Sequence, residues 1–361
     1  MRAGIVLLAL LANACATAPE PVVPTAIEAG APQWLAEREV ASIAIAYIAD
    51  GRVAWTAAYG EQSAGVPATP ETLYNVASLA QPISAEVMLR LASQNRVSLD
   101  EPMSRHWVDP DIANDPRRDL LTLRIALSHR TGFPNWRRMT NGVLTIQSEP
   151  GAAFTSAGEG YEYARRYTQA ASGEPFEHAA QRLVFDPIGM RNTAYTRRDW
   201  FAGRIAVPHG EDGAANEPDI NDGEMLASDD LYTTVGDYAR FVIAVMNHES
   251  VSPEIARQRL QYEIELRDGG CGGENGIPMD ACPLGVGMGM GWMVFRYEGE
   301  TVITHSGSDH GEQTLAFFVP ERRIGVVIFT NSANGRRVFP DIVAQLYPNE
   351  DFLTLLRLQA R

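Results

Sequence analysis

The chain has 361 residues, 45% of them hydrophobic and 21% charged, enough apolar material for one large core or two lobes sharing an interface. Its formal net charge is -15, and all 30 basic side chains are arginine, because the sequence contains no lysine. This balance excludes a nucleic acid as partner and disfavours an anionic lipid face, since both want clustered cations. Arginine pairs at Arg137-Arg138, Arg165-Arg166, Arg322-Arg323 and Arg336-Arg337 are scattered among acids and read as solvated surface.

The first residues carry an address. Arg2, the apolar run Ile5 to Leu11 and then Ala12-Asn13-Ala14-Cys15 read as a secretory signal over residues 1–14. The run is far shorter than the roughly 20 residues of a membrane span. Cleavage after Ala14 is one expectation; the other is a lipobox whose Cys15 becomes lipidated, which would tether an exported, periplasmic protein to a bacterial membrane by that anchor alone. Residues 15–33 are rich in alanine and proline without a clear period and read as a linker, leaving 34–361 as the folded domain.

After it, Val40 to Ala49 and Arg52 to Tyr59 read as two strands joined by the two-residue turn Asp50-Gly51. Ile83, Val87, Met88 and Leu91 then recur at helical spacing over Pro82 to Gln94, which puts Ser78 at the start of a helix. The middle, to about residue 250, is helices such as Tyr161 to Ser172 and Val235 to Met246 between turn-rich segments. Gly291 to Tyr297, Thr301 to His305, Thr314 to Val319 and Ile324 to Thr330 read as antiparallel strands before a helical tail. The predicted architecture is therefore an α/β (α+β) fold. Its antiparallel sheet is built from both chain ends and flanked by helices, with a helical lobe of roughly residues 78–250 inserted.

With Cys15 set aside, Cys271 and Cys282 form the one candidate disulfide, across a short Gly- and Pro-rich loop; two free thiols are the alternative. No C-x-x-C or paired-histidine spacing suggests a metal. Gly287-x-Gly289-x-Gly291 lacks the flanking strand and helix of a dinucleotide loop, so no cofactor is expected. Ser308-Asp309-His310 has the residue types of a catalytic triad, but chain neighbours point in different directions and cannot form one.

Leu73 to Pro82 with Ser78-Leu79-Ala80-Gln81, Leu127-Ser128-His129-Arg130-Thr131-Gly132-Phe133-Pro134, Asp186 to Thr193, Gly289-Met290-Gly291-Trp292, His305-Ser306-Gly307-Ser308 and Asn331-Ser332 follow one another in order. Together they make the chain, from about residue 35 to 345, resemble the β-lactamase-related serine hydrolases, which include class C β-lactamases, low-molecular-weight penicillin-binding proteins and esterases. The resemblance implies that Ser78 is the nucleophile position. It places the pocket strand at His305-Ser306-Gly307 and the oxyanion hole at the backbone amides of Ser78 and Ser308, with Ser306, Gly307 and Glu159 toward substrate. It implies a small ester, β-lactam or cell-wall peptide as ligand.

Two positions depart from the family pattern. Gln81 stands where the resemblance implies a lysine, and Ser156 where Phe154-Thr155-Ser156-Ala157-Gly158-Glu159-Gly160-Tyr161 implies a tyrosine. A misregister, with Tyr161 or Tyr163 serving, is the competing alignment. A serine hydroxyl needs a base, and neither an amide nor a second hydroxyl supplies one. The expectation is an impaired or non-hydrolytic ligand-binding member. The alternative is an active serine hydrolase of esterase, β-lactamase or D,D-peptidase type, with His305 as base; against that role, His305 reads as a strand histidine that binds a carboxylate or packs.

Overall fold

The computed structural model describes residues 23–266, 271 and 277–361. The predicted signal and Cys15 lie outside these residues. The strands are β1 (Ser42–Ala49), β2 (Arg52–Ser63), β3 (Val66–Pro67), β4 (Tyr74–Asn75), β5 (Tyr232–Thr233), β6 (Ile264–Glu265), β7 (Gly285–Met288), β8 (Met293–Tyr297), β9 (Glu300–Asp309), β10 (Glu312–Val319) and β11 (Ile324–Thr330). Among the described residues, nine of them form one sheet in the order β3-β2-β1-β11-β10-β9-β8-β7-β6, every pair antiparallel. β4 and β5 form a separate pair. The sheet thus draws its strands from both ends of the chain.

The central strands read as continuous apolar runs because both faces of the sheet are covered. Ala44, Ala46, Val327, Phe329, Ala316 and Phe318 face the core shared with the helical lobe. Their alternate neighbours Ile43, Ile45, Val326, Ile328, Leu315 and Phe317 face a second core under the terminal helices. The hairpin turn is as predicted, with Asp50 at φ 51° and Gly51 at φ 70°, the left-handed pair that matches strand twist.

The linker expectation needs correction at its second half. Helix α1 (Thr25–Arg38) begins before residue 33 and buries Ile27, Ala31 and Leu35 against the outer core. Their four-residue spacing is helical, and Pro32 inside the helix had masked it.

Between β4 and β6 lie helices α2 (Ala80–Ser93), α3 (Leu123–Leu127) and α4 (Gly158–Ser172), with a further helix, Val235–Met246, packed on β1 and β11. Every residue of α2 from Ala80 to Leu91 is buried. Its Glu86 accepts from Arg90 Nε at 2.9 Å and from Arg259 Nη1 at 2.7 Å, and the excess positive charge of this buried triad is met by backbone carbonyls, those of Leu183 and Glu249 for Arg90 and that of Val245 for Arg259, which holds α2 in place. Among the described residues no helix is long and apolar enough to cross a membrane.

Candidate active site

Ser78 sits in the single turn Ala77–Leu79 that carries the chain from β4 into α2. Ala77 adopts φ 48°, and its N–H donates to Asn75 Oδ1 at 2.9 Å. A left-handed alanine costs about 1 kcal/mol, so the turn is held by its surroundings. β9 supplies them: a Cβ at Gly307 would lie 2.2 Å from the Val76 carbonyl oxygen and 3.1 Å from the Leu79 nitrogen. Only glycine lets the strand approach so closely. Thr314 Oγ1 on β10 donates to the same Val76 carbonyl at 2.8 Å. His305, two residues before Gly307, shares its face of the strand.

Gln81 is 4% exposed, one turn beyond Ser78. Its Oε1 lies 3.0 Å from His129 Nε2, and its Nε2 lies 3.4 Å from the Ser228 carbonyl. The Ala157 N–H donates to His129 Nδ1 at 3.1 Å, which makes Nδ1 the acceptor and assigns the ring hydrogen to Nε2. The amide therefore receives a hydrogen bond from His129 and gives one to Ser228. Burial, then the nearby His305, push His129 down to about 3, so the ring is neutral. The Ser228 end is anchored as well: Glu162 Oε1 on α4 accepts from Ala227 N, Ser228 N and Ser228 Oγ at 2.8, 3.0 and 2.8 Å.

His305 is half-buried, and its Nδ1 lies 3.0 Å from the Ser306 carbonyl oxygen. A carbonyl only accepts, so Nδ1 carries the hydrogen and Nε2 keeps the lone pair. Burial pushes His305 down to about 4. The hydrogen bonds of Gln81 and His305 thus go to other partners, and none reaches the Ser78 hydroxyl among the described residues.

Ser78, Gln81, His129, Ser156, His305 and Ser308 line one cavity of about 260 Å³, together with Ser306 and Arg336. Ser156 is exposed, two residues before α4. The two tyrosines considered in its place do not line this cavity. Tyr161 is fully buried and donates to the Leu127 carbonyl at 3.0 Å, while Tyr163 packs on Trp107 and Phe133.

Two polar lining residues escaped the sequence reading. His129 lay inside a quoted motif without a role. Arg336 was read as solvated surface, and that is corrected: it is half-buried in the cavity wall, with no ion-pair or hydrogen-bond partner among the described residues, and burial lowers its pKa. Arg165 is a second correction, being 4% exposed and bound to Glu162 at 3.0 Å. Arg165 could have been read from the i, i+3 spacing to Glu162 on its own helix, whereas nothing local marks Arg336, whose cavity is closed by segments distant in the chain.

The cavity opens past Ser78 and Ser308 into a cleft of about 710 Å³. Arg137, Arg138 and Arg166 lie on its lining, as do Asp219, Asp229 and Asp309. Glu159 lies there too, with its carboxylate engaged by Arg137 Nε at 2.6 Å and by the Arg137 N–H at 3.1 Å. Ser308 Oγ accepts from Gln313 at 2.8 Å, and His310 is 92% exposed and 3.9 Å from Asp309, so these neighbours form no relay. Cys271 and Cys282 are disulfide-bonded, with Cα atoms 5.8 Å apart.

Comparison with known proteins extends this geometry. A family model described as Beta-lactamase matches residues 27–346. The Unguisins hydrolase ungD of Aspergillus violaceofuscus is 25% identical over 333 residues, covering 81% of this chain but only 59% of that protein. The D-alanyl-D-alanine-carboxypeptidase/endopeptidase AmpH of Escherichia coli is 23% identical over 338 residues, 84% of each chain. Esterase EstB of Burkholderia gladioli is 26% identical over 224 residues, 53% of this chain and 55% of that one. Among solved structures, the octameric penicillin-binding protein homologue from Pyrococcus abyssi matches with a TM-score of 0.74 at 22% identity, over 90% of this chain and 77% of that one. The class C beta lactamase from Rhodobacter sphaeroides matches with a TM-score of 0.68 at 16% identity, over 93% and 98%. The structural likenesses establish the fold.

Proposed function

This chain belongs to the beta-lactamase family, and on that premise we propose that it is an exported ligand-binding member whose acyl-transfer chemistry is impaired. Cys15 anchors it to the membrane, and the cavity at Ser78 receives a small ester, β-lactam or cell-wall peptide. The observation that carries this reading is the locked Gln81 amide, held between His129 and Ser228 at the position where the chemistry needs a base. In another serine hydrolase, losing the base costs on the order of a million-fold in turnover. What remains is recognition. The Ser78 and Ser308 backbone amides are the oxyanion donors for a ligand carbonyl, and Arg336 is an unneutralised cation for a ligand carboxylate. Ser306 and Gly307 form the strand edge beside it.

A second reading rests on His305. Its Nε2 lone pair has no hydrogen-bond partner among the described residues and it lines the cavity with Ser78, so it is the group from which slow hydrolysis of esterase, β-lactamase or D,D-peptidase type would come. A histidine held near 4 is a weak base at neutral pH, which ranks this reading second.

Calorimetric titration with a penicillin and with an N-acyl-D-alanyl-D-alanine peptide, followed by mass analysis of the recovered ligand, tests the proposal. Saturable binding, with the ligand returned intact and affinity retained in Ser78→Ala, is expected. Multiple turnovers that vanish in Ser78→Ala would overturn it in favour of the hydrolase.

A further inference from the structure

The Val76–Ala77 peptide is gripped at both of its ends. Its carbonyl accepts from Thr314 Oγ1 at 2.8 Å, and its N–H donates to Asn75 Oδ1 at 2.9 Å. The Ser78 N–H belongs to the next planar peptide, so its direction is set by where the gripped peptide lies and by the left-handed φ of Ala77. Thr314 reaches the carbonyl from the sheet. Asn75 is the matching hold on the N–H, an asparagine side chain turned onto the backbone two residues on.

The side chain of Asn75 is itself fixed. The residue is buried and pairs with Tyr232 across β4 and β5, and the adjacent Val76 N–H donates to the Leu231 carbonyl at 3.0 Å. Asn75 Nδ2 donates to Asp230 Oδ1 at 3.4 Å, and Asp230 Oδ2 accepts from Asn221 Nδ2 at 3.2 Å. These partners allow one orientation of the amide, since a flipped one would set its NH2 against the Ala77 N–H and its oxygen against a carboxylate. An alanine at residue 75 would leave the Ala77 N–H, on a fully buried residue, without its acceptor.

We propose that Asn75 is a positioning residue for the Ser78 backbone amide, held to that task by Asp230. The role rests on the reading of that amide as a donor to a ligand carbonyl and adds the side chains that aim it. Exchanging the two side chains would keep each bond with one direction reversed. An aspartate at residue 75 would accept both from the Ala77 N–H and from an asparagine at residue 230, whose oxygen would accept from Asn221. Residue 230 stands at φ 57°, which asparagine adopts as readily as aspartate.

Amide hydrogen exchange by NMR, with penicillin affinity measured on the same proteins, tests this in wild type, Asn75→Ala, Asn75→Asp and the exchanged pair Asn75→Asp/Asp230→Asn. Asn75→Ala should speed exchange at Ala77 and weaken penicillin binding, each about tenfold, while the amides of β10 keep wild-type rates. Asn75→Asp should behave likewise, and the exchanged pair should recover both readouts. A packing role alone would speed β10 as well and would gain nothing from the exchange. Unchanged Ala77 exchange in Asn75→Ala, or no recovery in the exchanged pair, would overturn the proposal. Absence of penicillin binding in wild type, with the Ala77 effect intact, would overturn the ligand reading and support the positioning role. If Asn75→Ala does not fold, Asn75→Asp against the exchanged pair decides.

Discussion

His129 donates its Nε2 hydrogen to Gln81 Oε1 at 3.0 Å while its Nδ1 accepts the Ala157 N–H at 3.1 Å. This pair immobilises the amide one turn from Ser78 and requires a neutral ring. Because burial lowers the folded pKa from 6.5 to about 3, the ring contributes stability that is complete above about pH 6.5 and is lost as pH falls toward 3. The His129 ring resonances should therefore show no titration between pH 8 and 4.5 by NMR. A midpoint near 6.5 in the folded protein would contradict the assigned hydrogen-bond pattern.

If the missing bases limit the chemistry, returning them should restore it. A lysine at residue 81 would be desolvated in a buried site and its pKa lowered, which suits a base. Gln81→Lys combined with Ser156→Tyr should raise the rate of fluorophosphonate labelling at Ser78 at least about a hundredfold over wild type, with the single variants gaining less. Labelling time courses by mass spectrometry read this, and no gain in the double variant would place the defect elsewhere.

Arg336 offers its charge to the cavity with no protein partner among the described residues. Arg336→Ala should weaken binding of a carboxylate-bearing ligand about tenfold or more, the worth of one charge-assisted hydrogen bond, and leave Tm nearly unchanged. A ligand esterified at that carboxylate should bind wild type and variant alike. Competition titration distinguishes these outcomes.

Glu312, on β10 opposite Asp309, links the acids of the cleft wall to stability. Its folded pKa rises from 4.5 to about 8, so the folded state holds more protons in that window and stability falls as pH rises through it. Tm should drop between pH 4.5 and 8, and Glu312→Gln should flatten that slope. An unchanged slope in the variant would remove Glu312 as its source.

The sheet was legible because its signals are local. Val235–Met246 and Ile324–Thr330 were read with the bounds observed, and Asp50-Gly51 announced its turn. α1 was missed because proline outweighed the Ile27, Ala31 and Leu35 spacing in so short a segment. In the site, Ser78 and the β9 motif were readable as residues in order, and the departures at Gln81 and Ser156 were plain. His129 and Arg336 were not, because their meaning comes from partners distant in the chain: His129 through Gln81 and Ala157, Arg336 through a cavity closed by other segments. The close approach of Asp309 to Asp229 and Asp230 has the same origin, since Asp309 lies on a hairpin some eighty residues later.

The central claim is that Ser78 lacks an activating base, and intact mass tests it most directly. Purified protein starting at residue 16 would be incubated with a fluorophosphonate and separately with a penicillin, beside Ser78→Ala. The account predicts an unmodified mass for both proteins at reagent concentrations that label an ordinary serine hydrolase completely. A stoichiometric adduct on wild type that is absent from Ser78→Ala would show the serine to be activated without lysine and would contradict it.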